Sequence, residues 1–338
     1  MKAYFVRRFA SVLAALVLTS GIAPAQSGVT LAIGGASCLC YLPTVLARQL
    51  GEFKKAGVEV EIAKYKGGSE ALKALLDGRA DVVSGYFDHC VNLAASGRHV
   101  QAFVTYDRFP GIVLVVSPKH AGEISSISDL AGRKVGVSAP GSSTDFFLRY
   151  VLGKNKVDPD SVRVTGVGVG ARAIAAMEEG SVDAAIMVDP AVTVLANKYK
   201  DLKILSDTRS EKDTLAVFGG RYPGGTLYTR ADWISAHPKE TQAMTNAIVS
   251  TLRWIHSHSA EEIAARMPPE FTKDMELYVA ALKNSMSMYS DTGRMDPRGA
   301  AAVLAVFARS SPAVAKADID LSKTYTNKFV DEANRMMK

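Results

Sequence analysis

Ser138-Ala139-Pro140-Gly141-Ser142-Ser143-Thr144-Asp145 joins a short apolar segment to a longer one. Arg133-Lys134-Val135-Gly136-Val137 before it predicts a strand, and Phe146-Phe147-Leu148-Arg149-Tyr150-Val151-Leu152 after it predicts a helix. Pro140 and Gly141 suit a tight strand-to-helix turn, and the hydroxyls suit the first helical turn. Free N–H groups at a helix start, beside three adjacent hydroxyls, make a donor-rich cup for an oxyanion such as carboxylate, sulfonate, nitrate or phosphate. Capping alone also accounts for Ser142, Ser143 and Thr144, so the choice between cap and cup rests on the rest of the chain.

Outward from this stretch the same phrase of strand, Gly-rich turn and helix recurs. Residues 29–33, 58–62, 81–85, 101–106, 111–116, 162–167, 182–187, 202–205 and 215–218 predict strands. The segment 111–116 is almost wholly apolar, as in a sheet covered on both faces. From Asp232 onward the pattern is helical, broken at Met267-Pro268-Pro269. The alternation falls into two blocks, about 28–108 and 112–218, which predicts two α/β lobes with parallel or mixed sheets. Ligands in such sheets sit beyond the carboxyl ends of the strands. Those ends fall at 34–41, 66–69, 85–89, 138–144, 168–170 and 188–190. A ring of loops rich in Gly, Ser and Thr, facing across a cleft, favours the cup.

Length and charge fit this picture. A chain of 338 residues with 48% hydrophobic residues is long enough for two cores. Its formal charge of +6 includes Lys2, Arg7 and Arg8, which lead an apolar run at 9–18 and a small-x-small site at Ala23-Pro24-Ala25. That is the grammar of an export signal, residues 1–25, too short to span a bilayer. Removing those three cations and no acid leaves +3. No Lys/Arg run is present, so nucleic acid is not an expected partner.

Further motifs then become recognisable: Tyr41-Leu42-Pro43, Gly51-Glu52-Phe53-Lys54-Lys55-Ala56-Gly57-Val58, Gly67-Gly68-Ser69-Glu70-Ala71-Leu72, Gly78-Arg79-Ala80-Asp81-Val82, Asp129-Leu130-Ala131-Gly132-Arg133-Lys134-Val135-Gly136-Val137, Pro140-Gly141-Ser142-Ser143-Thr144 and Val182-Asp183-Ala184-Ala185. In this order and spacing the chain resembles the nitrate/sulfonate/taurine family of ABC-transporter substrate-binding proteins, which also includes pyrimidine-precursor binders of the thiamine pathway. The resemblance implies a two-lobe periplasmic-binding-protein fold, type II-like, with hinge crossovers and a helical C-terminal segment. It places lobe 1 at 26–108 and 222–338, and lobe 2 at 109–221, with crossings near 106–112 and 218–222. It implies a periplasmic, monomeric, non-enzymatic receptor. The partners would be a small anionic organic solute, sulfonate- or taurine-like, and an inner-membrane permease, with no cofactor, no metal and no catalytic residue. A protein of thiamine-pyrimidine binding or synthesis is the alternative. Carried over by position, the ligand contacts are Ser37, Cys38, Tyr41, Gly68, Ser69, Asp88, His89, Ser142, Ser143, Thr144 and Asp189.

Several residues allow more than one reading. Cys38 or Cys40 pairs with Cys90, or the three join His89 around a metal, or all three are buried packing residues. Asp88 caps a helix or meets a solute; beside an anion its carboxylate is unfavourable, which points to a solute that also carries a hydrogen-bond donor. Asp189 is a turn residue or a ligand acceptor, and Arg108 is a hinge cation or a solvated one. Gly166-Val167-Gly168-Val169-Gly170 lacks the spacing of a dinucleotide fingerprint.

Overall fold

The computed structural model describes residues 28–337; the expected export signal lies outside the described residues. The described strands are β1 (Val29–Gly34), β2 (Val60–Tyr65), β3 (Val82–Tyr86), β4 (Val100–Thr105), β5 (Ile112–Val116), β6 (Lys134–Val137), β7 (Arg163–Gly166), β8 (Ala184–Val188), β9 (Ile204–Asp207) and β10 (Gly225–Arg230). They form two five-stranded sheets, ordered β2-β1-β3-β10-β4 and β7-β6-β8-β5-β9. Pairing is parallel for β1 with β2 and β3, and for β6 with β7 and β8. β10 runs antiparallel between β3 and β4, and β5 antiparallel between β8 and β9.

Every residue of β5 is buried. Val113 and Val115 pack into one apolar cluster with Met177 and Leu195, while Ile112, Leu114 and Val116 pack into another on the opposite face. The side-chain period of two thus delivers one strand to two cores, which requires helices on both faces of its sheet.

The chain passes from the first sheet to the second after β4 and returns after helix Glu211–Phe218, entering the first sheet again as β10. The strand expected at 215–218 is therefore corrected to the end of that helix. Ser210 accepts the Asp213 amide at its start, and Gly219, at φ 75°, ends it. Four apolar residues in a row do not separate helix from strand, and here the caps decide. Helix Pro238–His256 packs on Leu42–Gln49 and Lys328–Met336, whereas helix Pro297–Ser310 touches both Asp88–Ala94 and Ser143–Lys154. The C-terminal helices therefore brace the first sheet and reach the second.

Cys38 and Cys40 are joined to each other, with Cα atoms 5.1 Å apart. Pairing of either with Cys90 is corrected: Cys90 is a free, fully buried thiol on helix Asp88–Ala94, with the Ala102 backbone of β4 beside it. Its neighbour His89 lies on the same helix. Alkylation in denaturant without reductant is expected to label one thiol, at Cys90, and none in the native protein. Peptide mapping that found label at Cys38 or Cys40 would contradict this pairing.

Candidate functional site

The stretch 138–145 builds the site as a strand-to-helix turn. β6 ends at Val137, and helix Ser143–Lys154 begins behind Ser142, whose side chain makes no capping hydrogen bond. The hydroxyls bond one another instead: Ser138 Oγ lies 2.9 Å from Ser142 Oγ and 2.9 Å from Thr144 Oγ1, and the last two are 2.7 Å apart. Thr144 Oγ1 also accepts the Ser138 amide at 2.9 Å. Three hydroxyls in a triangle can pass their protons around the ring or turn one outward, so they are a reorientable donor set. Gly141 adopts φ 76° and gives its amide to Asp145 Oδ2 at 2.7 Å, which fixes the turn.

The first sheet supplies the opposing wall. Helix Gly68–Leu76 begins behind Gly67, again without a side-chain cap. A Cβ built on Gly68 would meet His89 Nε2 at 3.2 Å, Ser142 Cβ at 3.9 Å and the Tyr41 hydroxyl at 4.0 Å. Two uncapped helix starts, one from each sheet, therefore face a common point beside Tyr41 and His89. Both present positive dipole ends to it. The cavity there is small, about 20 Å³, and is lined by Tyr41, Gly68, Tyr86, Ser142, Ser143 and Thr144 among others; none of its lining residues is charged. By that measure it has room for about one or two water-sized groups.

The two halves touch directly. Ser143 donates to Asp88 Oδ1 at 2.7 Å, Leu39 donates its amide to the Asp189 carbonyl at 2.9 Å, and Phe146 packs edge-on against His89 at 5.5 Å between ring centres. Tyr222, in the returning crossover, donates to Asp88 Oδ2 at 3.4 Å. Asp88 thus neither caps its helix nor lies free; it ties together both sheets and the crossover.

Burial dominates the titration of this pair. It pushes the Asp88 carboxyl up to about 7, against the lowering effect of hydrogen bonds from Ser143, the His89 backbone and Tyr222. It pushes His89 down to about 4, and both ring nitrogens are buried without a hydrogen-bond partner. Burial likewise holds the Tyr41 hydroxyl protonated far above its ordinary range. Near neutral pH His89 is therefore uncharged, with one unengaged donor and one unengaged acceptor, while the Asp88 carboxyl is neutral below about 7 and ionised above it.

This produces a distinctive pH profile. Between the ordinary carboxylate value of 3.8 and about 7, the native protein holds a proton on Asp88 that the unfolded chain has lost. Stability falls there as pH rises. Between about 4 and 6.5 the unfolded chain holds a proton on His89 that the native protein lacks, so stability rises with pH. The two slopes oppose below 6.5, leaving a net loss from Asp88 near neutrality. Asp107 is also buried with its carboxyl held well above the ordinary range, so it keeps opposing the His89 slope. The effect of Asp88→Asn is therefore read as a difference from the parent, whose change in stability from pH 4 to 6.5 is expected to become more favourable by up to about 3 kcal/mol when the Asp88 slope is removed. Urea unfolding across that range checks it; a profile unchanged from the parent would refute the assignment.

Not every expected residue meets at the common point. Ser69 faces Gly141 across the cleft, its Cβ 3.9 Å from where a Gly141 Cβ would stand. Ser37 sits against Gly170 in an outer groove of about 550 Å³. Cys38 lines the cavity through its bridge to Cys40. Asp189 is occupied within the second sheet's loops: Oδ1 accepts Thr193 N at 2.9 Å and Oγ1 at 2.8 Å, and Oδ2 meets Arg209 at 3.2 Å. Arg108 pairs with Glu211 at 2.8 Å, away from the cavity. Ser138, Tyr86, Val169 and Tyr222 belong to the site and were not foreseen. Each nonetheless lies in a segment that the sequence points to: Ser138 in the hydroxyl-rich turn, Tyr86 and Val169 in the strand-end loops 85–89 and 168–170, and Tyr222 in the crossing near 218–222.

A family model described as NMT1/THI5 like matches residues 41–262. The chain is 23% identical over 230 residues to the nitrate/nitrite binding protein NrtA of Nostoc sp., covering 63% of this chain and 50% of that one. It is 26% identical over 215 residues to the 4-amino-5-hydroxymethyl-2-methylpyrimidine phosphate synthase of Uromyces fabae, covering 62% and 61%. It therefore spans about half to two thirds of the length of these two relatives and of the protein YtlA of Bacillus subtilis, and less of others that it matches. A solved structure from Bordetella bronchiseptica RB50 superimposes with a TM-score of 0.88 at 39% identity, over 92% of this chain and 98% of that one. The architecture is the periplasmic-binding-protein fold.

Proposed function

The chain belongs to the NMT1/THI5-like family, and on that premise we propose that it is the solute receptor of an ABC importer, holding a small anion between its two lobes and handing it to a membrane permease. The lobes are the two sheets with their helices, joined by the crossovers at 106–111 and 219–224. The observation that carries the reading is the convergence of Ser138, Ser142 and Thr144, two uncapped helix starts and Tyr41 on one buried point. Hydroxyl and amide donors suit an oxyanion, and the absence of a lining cation favours a monoanion held by dipoles alone. The similarity to a nitrate/nitrite binding protein supports the same ligand class. Export to the periplasm and action as a monomer complete the reading; both fit a receptor that is loaded outside the inner membrane and docks on a permease.

His89 refines the class. A buried neutral imidazole with an unengaged acceptor rewards a solute that brings a hydrogen-bond donor as well as an acidic end. Taurine and bicarbonate meet that description; nitrate lacks the donor. The second reading, a pyrimidine-phosphate synthase or binder, draws on the similarity to the Uromyces protein and on the same histidine. Thermal-shift measurements against nitrate, bicarbonate, taurine, methanesulfonate and an aminopyrimidine separate the two. Stabilisation by one or more of the anions supports the receptor of anions, and stabilisation by the aminopyrimidine alone replaces it with the second reading.

A further inference from the structure

Outside the buried cavity lies a second hollow, of about 400 Å³, lined by Lys64, Lys66 and Glu70 from the first lobe and by Gly168, Val169 and Arg172 from the second. Val169 lines both spaces. It stands on Gly168-Val169-Gly170, whose two glycines adopt φ 71° and 61°, and it fills the position beside Gly35 where a Cβ would lie 2.5 Å from its Cγ2. Gly35 adopts φ 95°, so this partition needs glycine on both counts. The fingerprint-like run rejected for dinucleotides therefore forms a wall between an inner, uncharged cavity and an outer hollow.

The outer hollow carries three cations and one carboxylate, Glu70, so its lining is net positive. Lys64, Lys66 and Arg172 are exposed there. Lys64 lies 3.5 Å from Glu270 and over the Phe271 ring. Among the described residues neither Lys66 nor Arg172 has a carboxylate partner; Glu70 spends Oε2 on the Lys66 backbone amide at 3.2 Å. Arg172 folds its stem over Gly168, where a Cβ would touch its Cδ at 3.5 Å, which holds it at the rim.

We propose that this hollow, with Lys66 on one lobe and Arg172 on the other, is a collecting site for the anionic solute at the mouth of the cleft, in series with the inner cavity behind Val169. This rests on the receptor reading. The division of labour is physical. Exposed cations raise the local concentration of an anion and steer its approach, but they hold it weakly in water. The inner dipoles bind it where water is excluded, without a fixed positive charge that would retain every anion alike. The cations therefore govern arrival, and the hydroxyls govern departure.

Stopped-flow mixing with nitrate, bicarbonate and methanesulfonate, followed by intrinsic fluorescence, tests the division. In the double variant Lys66→Ala, Arg172→Ala the association rate for a bound anion is expected to fall about tenfold at low ionic strength and to lose most of its salt dependence. Its dissociation rate is expected to stay within about twofold of the parent, since the collecting site lies outside the inner contacts. Unchanged association, or a loss carried by dissociation, overturns the collecting site and leaves the receptor reading standing. Failure of the parent protein to bind any of the three anions removes the receptor reading and the collecting site with it. Both side chains are exposed, so the variant keeps the fold, and circular dichroism confirms that before mixing.

Discussion

Gly67→Ala is expected to weaken solute binding by about 10- to 100-fold while the protein keeps its secondary structure and cooperative unfolding. The reason is a contact between lobes. A Cβ at Gly67 would stand 2.8 Å from Ala139 Cβ, 3.1 Å from the Ser138 carbonyl carbon and 3.2 Å from the Ala139 amide nitrogen. These are backbone and Cβ atoms at the end of β6, with no flexible tip to swing aside. Gly67 itself has φ −157°, extended backbone that any residue adopts, so alanine introduces no strain when the lobes are apart. The added methyl acts as a doorstop. Overpacking of this kind costs about 1–3 kcal/mol, and all of it falls on the closed form. Calorimetric titration measures the loss, and small-angle scattering is expected to show the variant contracting only at correspondingly higher solute concentration than the parent. Parent-like affinity would mean that the two sheets do not need to meet here.

The double substitution Ser142→Ala, Thr144→Ala is expected to abolish binding at concentrations where the parent is saturated. Each hydrogen bond to a charged group is worth about 1.5–3 kcal/mol, so losing two corresponds to at least about a hundredfold. Thr144 also accepts the Ser138 amide, so its removal leaves a buried N–H without a partner and lowers stability by about 1–3 kcal/mol. Thr144→Ser keeps that oxygen and is the control: it should bind and melt as the parent does. Ser142→Ala alone leaves the amide satisfied and should lose affinity with little change in melting. If the double variant binds like the parent, the hydroxyl triangle is a structural knot and the anion sits elsewhere.

Both experiments concern loops that were legible in the sequence, and the physics explains why. A strand, a Gly-rich turn and a helix follow from alternation and backbone permissiveness, which are local properties. Gly67, Gly68, Ser142, Ser143 and Thr144 could be named as candidates because a single turn encodes each group. What local reading misses is how loops meet. Asp88 offered a cap or a ligand partner; it bonds Ser143 from the second sheet and Tyr222, 134 residues away in sequence. Val169 gave no sign that it would lie against Gly35.

The misreadings are equally physical. β10 (Gly225–Arg230) was not expected, because Gly224-Gly225 and the charged Arg230 blur a short segment whose stability comes from inserting between β3 and β4. Its insertion is what returns the chain to the first lobe. The pairing of Cys38 with Cys40, two residues apart, was passed over in favour of a link between loops, although a bridge needs only the Cα separation that the intervening turn provides. Asp189 stays open from sequence between turn residue and ligand acceptor, and in the fold Arg209 and Thr193 bond its carboxylate oxygens.

Where the solute's negative end lies decides between the hydroxyl cup and any other site. A crystal structure of the protein with the anion that most raises its melting temperature measures that directly. The expected result is an acidic group within hydrogen-bond distance of Ser142 Oγ or Thr144 Oγ1 and of an amide at the start of helix Gly68–Leu76, with the lobes closed around it. An anion bound elsewhere, with the hydroxyl triangle intact and Tyr41 and His89 out of reach, would contradict the account.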